Sequence, residues 1–442
     1  MKTQQETSKL VKPMLHNPSN DTPKISLTVF DLVAEDGHIP IIYVYRPPTP
    51  SNAALELALG EVLPDYRELA GRFGTDEKGK RVILLNDEGL RFVEAFTDCT
   101  LDEAQLFNPS EALLGLHPCL DSPKELAQVQ LTRFTCGSLA VGFSANHMMC
   151  DGYSVSRFLA AWGQACRGTV DIPSPLHDRT IFAPRDSPRF EFEHSDVEFQ
   201  NKNNVEEYCC INNSNGVMGG DILVMHKTHF TLEMLSKIRA KASKDSNYNH
   251  SYSMFESLVG HVWRAVARAC TAADDGDRYK ATCLKIAVNG RRRMIPRVPD
   301  EYFGNVVLWA YPKANMKELA SEPVSYAAKS IHDAVSKVKD NYFKSFIDFA
   351  SSIEEGDELV PKLNLSESDV CLNLYIDSWL GFPFCDLDFG GGKPCMFMPS
   401  YRTWPGHIYV VPSYVGDGSI DVFVTLSKNQ VSCFKETWFL ID

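Results

Sequence analysis

The chain has 442 residues, of which 44% are hydrophobic and 23% are charged, a composition that supports a sizeable globular core. The formal net charge of -13 at pH 7 argues against a nucleic-acid partner and against an anionic membrane surface. The polar N-terminus lacks an apolar signal core, no run approaches the ~20 apolar residues of a membrane span, and the 13 cysteines are irregularly spaced. We therefore expect a cytoplasmic protein with reduced thiols and no membrane partner.

Strand-like and helix-like segments alternate along the chain, which predicts a mixed α/β fold. In the first half we expect two early strands, an amphipathic helix that ends before Pro64, and a β-hairpin; these cover residues 25–33, 41–45, 55–63, and 129–134 with 139–144.

The stretch 186–216 is polar and has no clear periodicity. We predict that it is a crossover linker between an N-terminal domain, residues 1–185, and a C-terminal domain, residues 217–442. In the second domain we expect a helix from Ser253 and several strands; the strands lie near Ile286 and at 370–376, 408–411 and 420–426, the last two joined by the turn 416–418.

The segment 144–152, Ser-Ala-Asn-His-Met-Met-Cys-Asp-Gly, connects a predicted strand to a predicted helix with Ser154 as its expected N-cap. Such a connection can present the His147 side chain to a cleft, and a histidine pKa near neutrality suits a general base. Asp151 is better suited to a structural ion pair, and Gly152 permits a tight turn after it. A purely structural histidine is the alternative, while no third residue shows the spacing of a metal ligand, so we expect no metal.

A second motif, Asp388-Phe389-Gly390-Gly391-Gly392, follows near the C-terminus. Together with His147 to Gly152 it resembles the HxxxD(G) and DFGWG motifs of the plant BAHD acyltransferase family, in the same order and at similar separation. Gly391 departs from the tryptophan that the family usually has. The segments 65–72, 377–380 and 386–390 look like the branch that acylates agmatine and putrescine with hydroxycinnamoyl groups.

The resemblance implies two similar chloramphenicol-acetyltransferase-like α/β domains, joined by a long crossover, with an active-site channel between them. It implies that acyl-CoA enters as a co-substrate, without a further cofactor, and meets the acceptor at His147. Asp151 would then pair with Arg291, and Asp388, Gly390 and Gly392 would support the fold near the site.

The resemblance also places CoA near Ser253, which begins a capping box with Glu256 and could instead be a plain helix cap. The indole N–H of Trp379 would help bind the tetrahedral oxyanion, unless Trp379 is a core residue. We expect a monomer.

Two positions, Tyr375 and Gly381, leave the chemical class of the acceptor open. Tyr375 stands where the agmatine and putrescine branch typically has an acidic residue, and Gly381 stands where shikimate- or quinate-using relatives have an arginine. Transfer to the nitrogen of a small amine and O-acylation, for example benzoylation, of an alkaloid or another alcohol are both compatible with this pattern. A catalytically silent binding protein is the third hypothesis, which the intact His147 and Asp151 argue against.

Overall fold

The computed structural model describes residues 1–14, 22–169, 174–202, 217–218, 221–244, 251–273, 279–353, 359–362 and 371–441. Its strands, numbered in chain order, are β1 (Thr3–Val11), β2 (Lys24–Ser26), β3 (His38–Tyr45), β4 (Arg72–Thr75), β5 (Arg81–Leu84), β6 (Leu90–Thr97), β7 (Ala127–Arg133), β8 (Leu139–Asn146), β9 (Phe199–Asn201), β10 (Val217–Met218), β11 (Asp221–Phe230), β12 (Ala281–Asn289), β13 (Val307–Ala310), β14 (Lys313–Asn315), β15 (Leu359–Pro361), β16 (Cys371–Ser378), β17 (Met396–Pro399), β18 (His407–Pro412) and β19 (Ile420–Ser427). Its helices are α1 (Val29–Leu32), α2 (Asn52–Val62), α3 (Leu101–Ala104), α4 (Gly152–Cys166), α5 (Leu232–Lys244), α6 (Met254–Ala273), α7 (Met316–Ser321), α8 (Val324–Val335), α9 (Asp340–Ser352) and α10 (Lys428–Thr437).

The first large sheet has the strand order β1-β6-β7-β8-β3-β17. The predicted hairpin is present as β7 and β8, which pair antiparallel from Ala127 opposite Ala145 to Arg133 opposite Leu139. Helices α2 and α4 pack on this sheet and bury one apolar core with it, and the indole of Trp162 donates to the Leu55 carbonyl at 2.9 Å. The strand β8 thus leads from a buried sheet directly into the His147 segment.

The second large sheet has the strand order β10-β11-β19-β18-β16-β12-β13 and forms a second core with helix α6. Its interior strand β16 pairs in parallel with both β12 and β18. The predicted alternation along β16 is present, because Leu374 and Ile376 are buried while Tyr375 and Asp377 lie on the other face and are partly exposed. The hairpin of β18 and β19 is also as predicted.

Two local predictions are wrong. Residues 25–33 do not form one strand, because β2 ends at Ser26 and helix α1 begins at Val29. Thr28 and Asp31 form a reciprocal capping box there, which satisfies backbone groups that a strand would have left to a neighbour. Ser154 is not the N-cap of α4, since Asp151 holds that position and accepts the Ser154 N–H.

The described part of the predicted linker, residues 186–202, lies against helix α9. The Asp348 carboxylate accepts hydrogen bonds from the backbone N–H groups of Arg185 and Arg189, and β9 pairs with β15. Residues 203–216 lie outside the described residues, and the division at 185 and 217 stays a prediction. One strand from the C-terminal region, β17, pairs with β3 and belongs to the first sheet. The chain therefore returns to the first sheet after residue 217, which the predicted domain division does not describe.

Across the described ranges, no helix combines the length and the apolar character that a membrane span requires.

Candidate active site

His147 is the one partly exposed residue in the buried run from Ser138 to Asp151. Its backbone is held on both sides, because its N–H donates to the Gly37 carbonyl at 2.9 Å and its carbonyl accepts from the Asn305 side chain at 2.9 Å. Its Nδ1 atom is buried and has no hydrogen-bond partner among the described residues. The ring is therefore positioned by its backbone and presents its other edge to the accessible space.

Asp151 and Arg291 form a buried ion pair directly after this segment. Two Arg291 nitrogens donate to the two Asp151 oxygens at 2.6 and 3.1 Å, and the side chains are 3% and 1% exposed. The Asp151 carboxylate also accepts the backbone N–H groups of Ser154 and Val306. Burial opposes the charge of Asp151, but the Arg291 charge and these hydrogen bonds outweigh it and lower the pKa of Asp151. The pair is thus directed into protein rather than toward substrate.

Arg291 also joins the two halves of the chain around the site. It donates to the Ser154 hydroxyl at 3.0 Å and to the carbonyls of Tyr302 and Gly304 at 3.3 and 3.1 Å. Ser154 lies on α4 of the first half, whereas Tyr302 and Gly304 belong to the second half. The sequence predicted Ser154 as the helix cap. In the structure its hydroxyl instead connects Arg291 to the Gly304 carbonyl.

The glycines after each acid permit close approach. A Cβ on Gly152 would lie 3.0 Å from the Phe382 ring, so the start of α4 contacts the segment after β16. Asp388 accepts the N–H groups of Gly390 and Gly392 at 2.7 and 2.9 Å, and both glycines have positive φ. Burial opposes the charge of Asp388, yet these backbone donors lower its pKa. The second motif is therefore a turn held by hydrogen bonds from its own backbone to Asp388, and it packs against α4 at Gly163.

Gly391 has a physical reason to lack a side chain. A Cβ at this position would lie 2.1 Å from the Pro48 carbonyl oxygen, well inside the contact distance. The backbone at Pro48 thus takes the space into which the family tryptophan would project, while Phe389 packs edge-on against Trp162 with ring centroids 4.7 Å apart.

The other predicted site residues lie at different places. Ser253 is an exposed helix cap, whose N–H donates to Glu256 at 2.7 Å while its hydroxyl accepts the Glu256 N–H at 3.2 Å. Trp379 is buried in an aromatic cluster, 5.3 Å from the Tyr409 ring centre. Gly381 is exposed, and a Cβ there would meet nothing within 4 Å.

Tyr375 lies in a group of polar side chains that sequence reasoning did not assemble. The register of the parallel strands places Lys285 and His407 on either side of it. Two residues further, the Asp377 carboxylate contacts His407 Nε2 at 2.6 Å and keeps 39% of its side chain accessible. The alternation of β16 indicated the face of Asp377, but only the pairing with β18 brings His407 to it.

Asp377 also connects this group to His147. Burial raises the pKa of Asp377, but the hydrogen bond from His407 and the charges of His407, His147 and Lys285 outweigh it, so the pKa is lowered. Burial lowers the pKa of Lys285 to about 8, against the opposing charges of Glu35 and Asp377. A negative charge close to His147 favours cations in this part of the site.

Comparison with known proteins agrees with this geometry. The family model described as "Transferase family" matches residues 1–440. Agmatine hydroxycinnamoyltransferase 1 of Oryza sativa subsp. japonica is 43% identical, covering 100% of this chain and 99% of the relative. Putrescine hydroxycinnamoyltransferase 3 of the same organism is 41% identical, covering 99% of each chain. The crystal structure of vinorine synthase superposes with a TM-score of 0.73 at 21% identity, covering 100% of this chain and 99% of that chain.

The superposition on vinorine synthase confirms the α/β two-domain fold. The family model and the relatives define the class of the protein as an acyltransferase. The chain belongs to the Transferase family of plant BAHD acyltransferases. The predicted resemblance to the agmatine and putrescine branch is confirmed as well.

Proposed function

We propose that the protein transfers a hydroxycinnamoyl-type acyl group from a CoA thioester to the nitrogen of a small amine, such as agmatine or putrescine. The observation that carries the choice of acceptor is the Asp377 carboxylate, which shares a strand face with Tyr375, contacts His407 at 2.6 Å and keeps 39% of its side chain accessible. The charge of His147 contributes to its lowered pKa. The names of the relatives, an agmatine and a putrescine hydroxycinnamoyltransferase, support the same substrates.

In the proposed reaction the amine nitrogen attacks the thioester carbonyl, and His147 removes a proton from the nitrogen. We assign the base to Nε2, because Nδ1 is buried. The thiolate of CoA leaves from the tetrahedral intermediate and takes up the proton from His147. A thioester already has a good leaving group, so the mechanism needs neither a covalent acyl-enzyme nor a cofactor besides the co-substrate. The Trp379 indole and Ser253 keep their proposed roles at the oxyanion and at CoA.

The absence of an acid at Tyr375 does not remove the anionic character of the acceptor site, because Asp377 supplies it on the same strand face. Tyr375 adds an aromatic wall, with its ring centre 6.2 Å from that of His407. An aromatic ring beside a carboxylate can hold an ammonium through cation–π attraction and charge pairing together. We propose that the enzyme works as a cytosolic monomer.

The test is a matrix of acyl-CoA donors against amine and alcohol acceptors, with products identified by mass spectrometry and CoA release followed in parallel. We expect amides of small amines, and exclusive ester formation would contradict the proposal in favour of O-acylation. His147→Ala should lower the rate roughly 10²–10⁴-fold, as expected for loss of a general base.

Binding of acyl-CoA should survive in His147→Ala, which a ligand-induced rise in melting temperature would detect. A suitable control is His229→Ala, since His229 is 41% exposed and pairs with Asp421 on β19. Wild-type turnover in the His147 variant would remove the base role.

A further inference from the structure

Three neighbouring strands of the second sheet place an acid, an imidazole and an amine on one face. In the β12-β16-β18 register, Lys285 lies opposite Tyr375, Tyr375 lies opposite His407, and Asp377 lies opposite Tyr409. Residues that pair across parallel strands project to the same side of a sheet. This group, Lys285, Tyr375, Asp377 and His407, is called the β16 cluster below.

His407 is fixed tightly within the β16 cluster. Its ring stacks on Tyr409 with centroids 4.5 Å apart and planes 11° apart, and Trp404 covers it at 5.5 Å. Its Nε2 is 2.6 Å from Asp377 Oδ2, and the described residues offer no hydrogen bond to its Nδ1. A neutral imidazole that donates from Nε2 to a carboxylate has Nδ1 free to accept a proton, and the carboxylate stabilises the imidazolium that forms.

Other charged groups also act on the β16 cluster. Lys285 lies over the Trp309 ring at 4.3 Å, and its charge interacts with those of Asp377 and Glu35. Arg402 lies over the ring of Trp404, the residue that packs on His407, at 4.5 Å from the ring centre. His147 interacts electrostatically with Asp377 from the first half of the chain. The Asp377 carboxylate thus contacts the His407 imidazole directly and interacts with the charge of His147.

An amine acceptor presents a problem that an alcohol does not. An alkyl ammonium has a pKa of about 10.4, so at pH 7 only roughly 1 molecule in 10³ is the free base that can attack. Two protons must therefore leave the nitrogen in each turnover, one before attack and one as the amide forms. His147 delivers the second proton to the departing sulfur, so a second base in the site would be needed for the bound ammonium to lose its first proton there.

We propose that the Asp377–His407 pair removes this first proton. The reacting ammonium lies on the Nδ1 side of His407 and gives one proton to Nδ1 directly or through one water, while Asp377 on the Nε2 side stabilises the imidazolium, and a neutral amine is left for attack beside His147. The amine then attacks the thioester, its second proton passes through His147 to the CoA thiolate, and the first proton is released from His407 to solvent. The proposal rests on the proposed amine acceptor.

The test compares two monoamine acceptors, an alkylamine and its β-trifluorinated analogue, whose ammonium pKa lies below the assay pH. His407→Phe retains an aromatic ring for the stack on Tyr409 and removes both nitrogens. We expect this variant to lose roughly 10²-fold or more in kcat/KM on the alkylamine at pH 7. Its activity on the fluorinated amine should stay within a few-fold of wild type, and the loss on the alkylamine should shrink as the pH approaches the amine pKa.

An equal loss on both acceptors would show that His407 only supports the stack, and it would overturn the proposal, as would no loss on either. His407→Gln separates loss of the base from loss of shape, since it must show the same dependence on acceptor pKa. His229→Phe, which removes the exposed histidine of another His–Asp pair, is the matched control. If Lys285→Met rather than His407→Phe gives the acceptor-dependent loss, the proton goes to Lys285 and the proposal fails.

A second pair of results separates this proposal from the proposed function. A wild-type enzyme that acylates neither of these amines nor agmatine or putrescine refutes the amine acceptor itself, whatever the variants do. Asp377→Asn should lower activity on the monoamine as well as on a diamine, because it removes the charge that stabilises the His407 imidazolium. A loss confined to the diamine would assign Asp377 to the distal cation and overturn the first-proton role.

Discussion

The buried pair of Asp151 and Arg291 allows a prediction with a defined magnitude. Asp151→Asn keeps the size of the side chain, but it removes the charge that compensates a guanidinium with 1% exposure. Breaking one partner of a buried pair costs roughly 3–5 kcal/mol, because the other charge stays buried and unpaired. We therefore expect Asp151→Asn to lower the free energy of unfolding by that amount and to slow turnover by displacing the nearby His147 backbone.

The assay is urea unfolding followed by fluorescence, with the midpoint of the first transition compared among variants, since a two-domain chain need not unfold in one step. Arg291→Met should have a similar cost. The double variant Asp151→Asn/Arg291→Met should lose less than the sum of the two, because it leaves no unpaired charge. Asp102→Asn, in the exposed pair with Arg46 at 2.7 Å, is the control and should change little.

The pH dependence has a definite sign. The pKa of Asp151 is lowered in the folded protein, so its contribution is present above the unfolded pKa of about 3.9 and is lost as the pH falls through the folded value. The difference between wild type and Asp151→Asn should thus be constant from about pH 5 upward and should narrow only in stronger acid. Additive single variants, or slow turnover with unchanged unfolding, would refute the structural role and implicate Asp151 in the chemistry.

Three further changes test other parts of the site. Gly391→Ala should destabilise the protein by roughly 1–3 kcal/mol in urea unfolding, because its Cβ would meet the Pro48 carbonyl at 2.1 Å, and an unchanged midpoint would contradict the packing argument. Tyr375→Glu should raise the kcat/KM ratio of putrescine to a neutral alcohol by about tenfold or more, since charge-assisted hydrogen bonds contribute roughly 1.5–3 kcal/mol, and an unaltered ratio would place the residue away from the acceptor. Ser253→Ala should cost about 1 kcal/mol of stability through loss of the capping box with Glu256, whereas an added rise in the KM for acyl-CoA would support contact with CoA.

Part of the site is readable from local sequence. The strand-to-helix step at His147 and the alternation along β16 follow from short-range patterns, whereas the pairing of Asp151 with Arg291, 140 positions apart, was implied only by the family resemblance. Local chemistry also contained one signal that was missed, because Thr28 and Asp31 have the spacing of a capping box inside the stretch predicted as a strand. The strand propensity of the apolar residues competes there with the capping hydrogen bonds of Thr28 and Asp31, and the capping hydrogen bonds favour a helix.

Long-range pairing explains what could not be read. His407 has no motif around it, and it reaches Asp377 because β18 pairs in parallel with β16 across an intervening stretch of chain. The absence of a side chain at Gly391 is explained by Pro48, which is more than 300 positions earlier in the sequence. Neither contact produces a periodic pattern in the sequence, because both depend on how distant segments are arranged in the folded sheets.

The pairing of β17 with β3 has a consequence for synthesis on the ribosome. Until Met396–Pro399 has been translated, the edge of the N-terminal sheet at β3 has no β17 to pair with. That edge carries the apolar stretch His38–Tyr45, and an unpaired apolar edge strand is a template for aggregation. The nascent N-terminal half therefore exposes this edge while more than half of the polypeptide is still to be made, and we expect it to be prone to aggregation during that time. Separate expression of the N-terminal half should accordingly yield insoluble material, which co-expression with the C-terminal half would rescue.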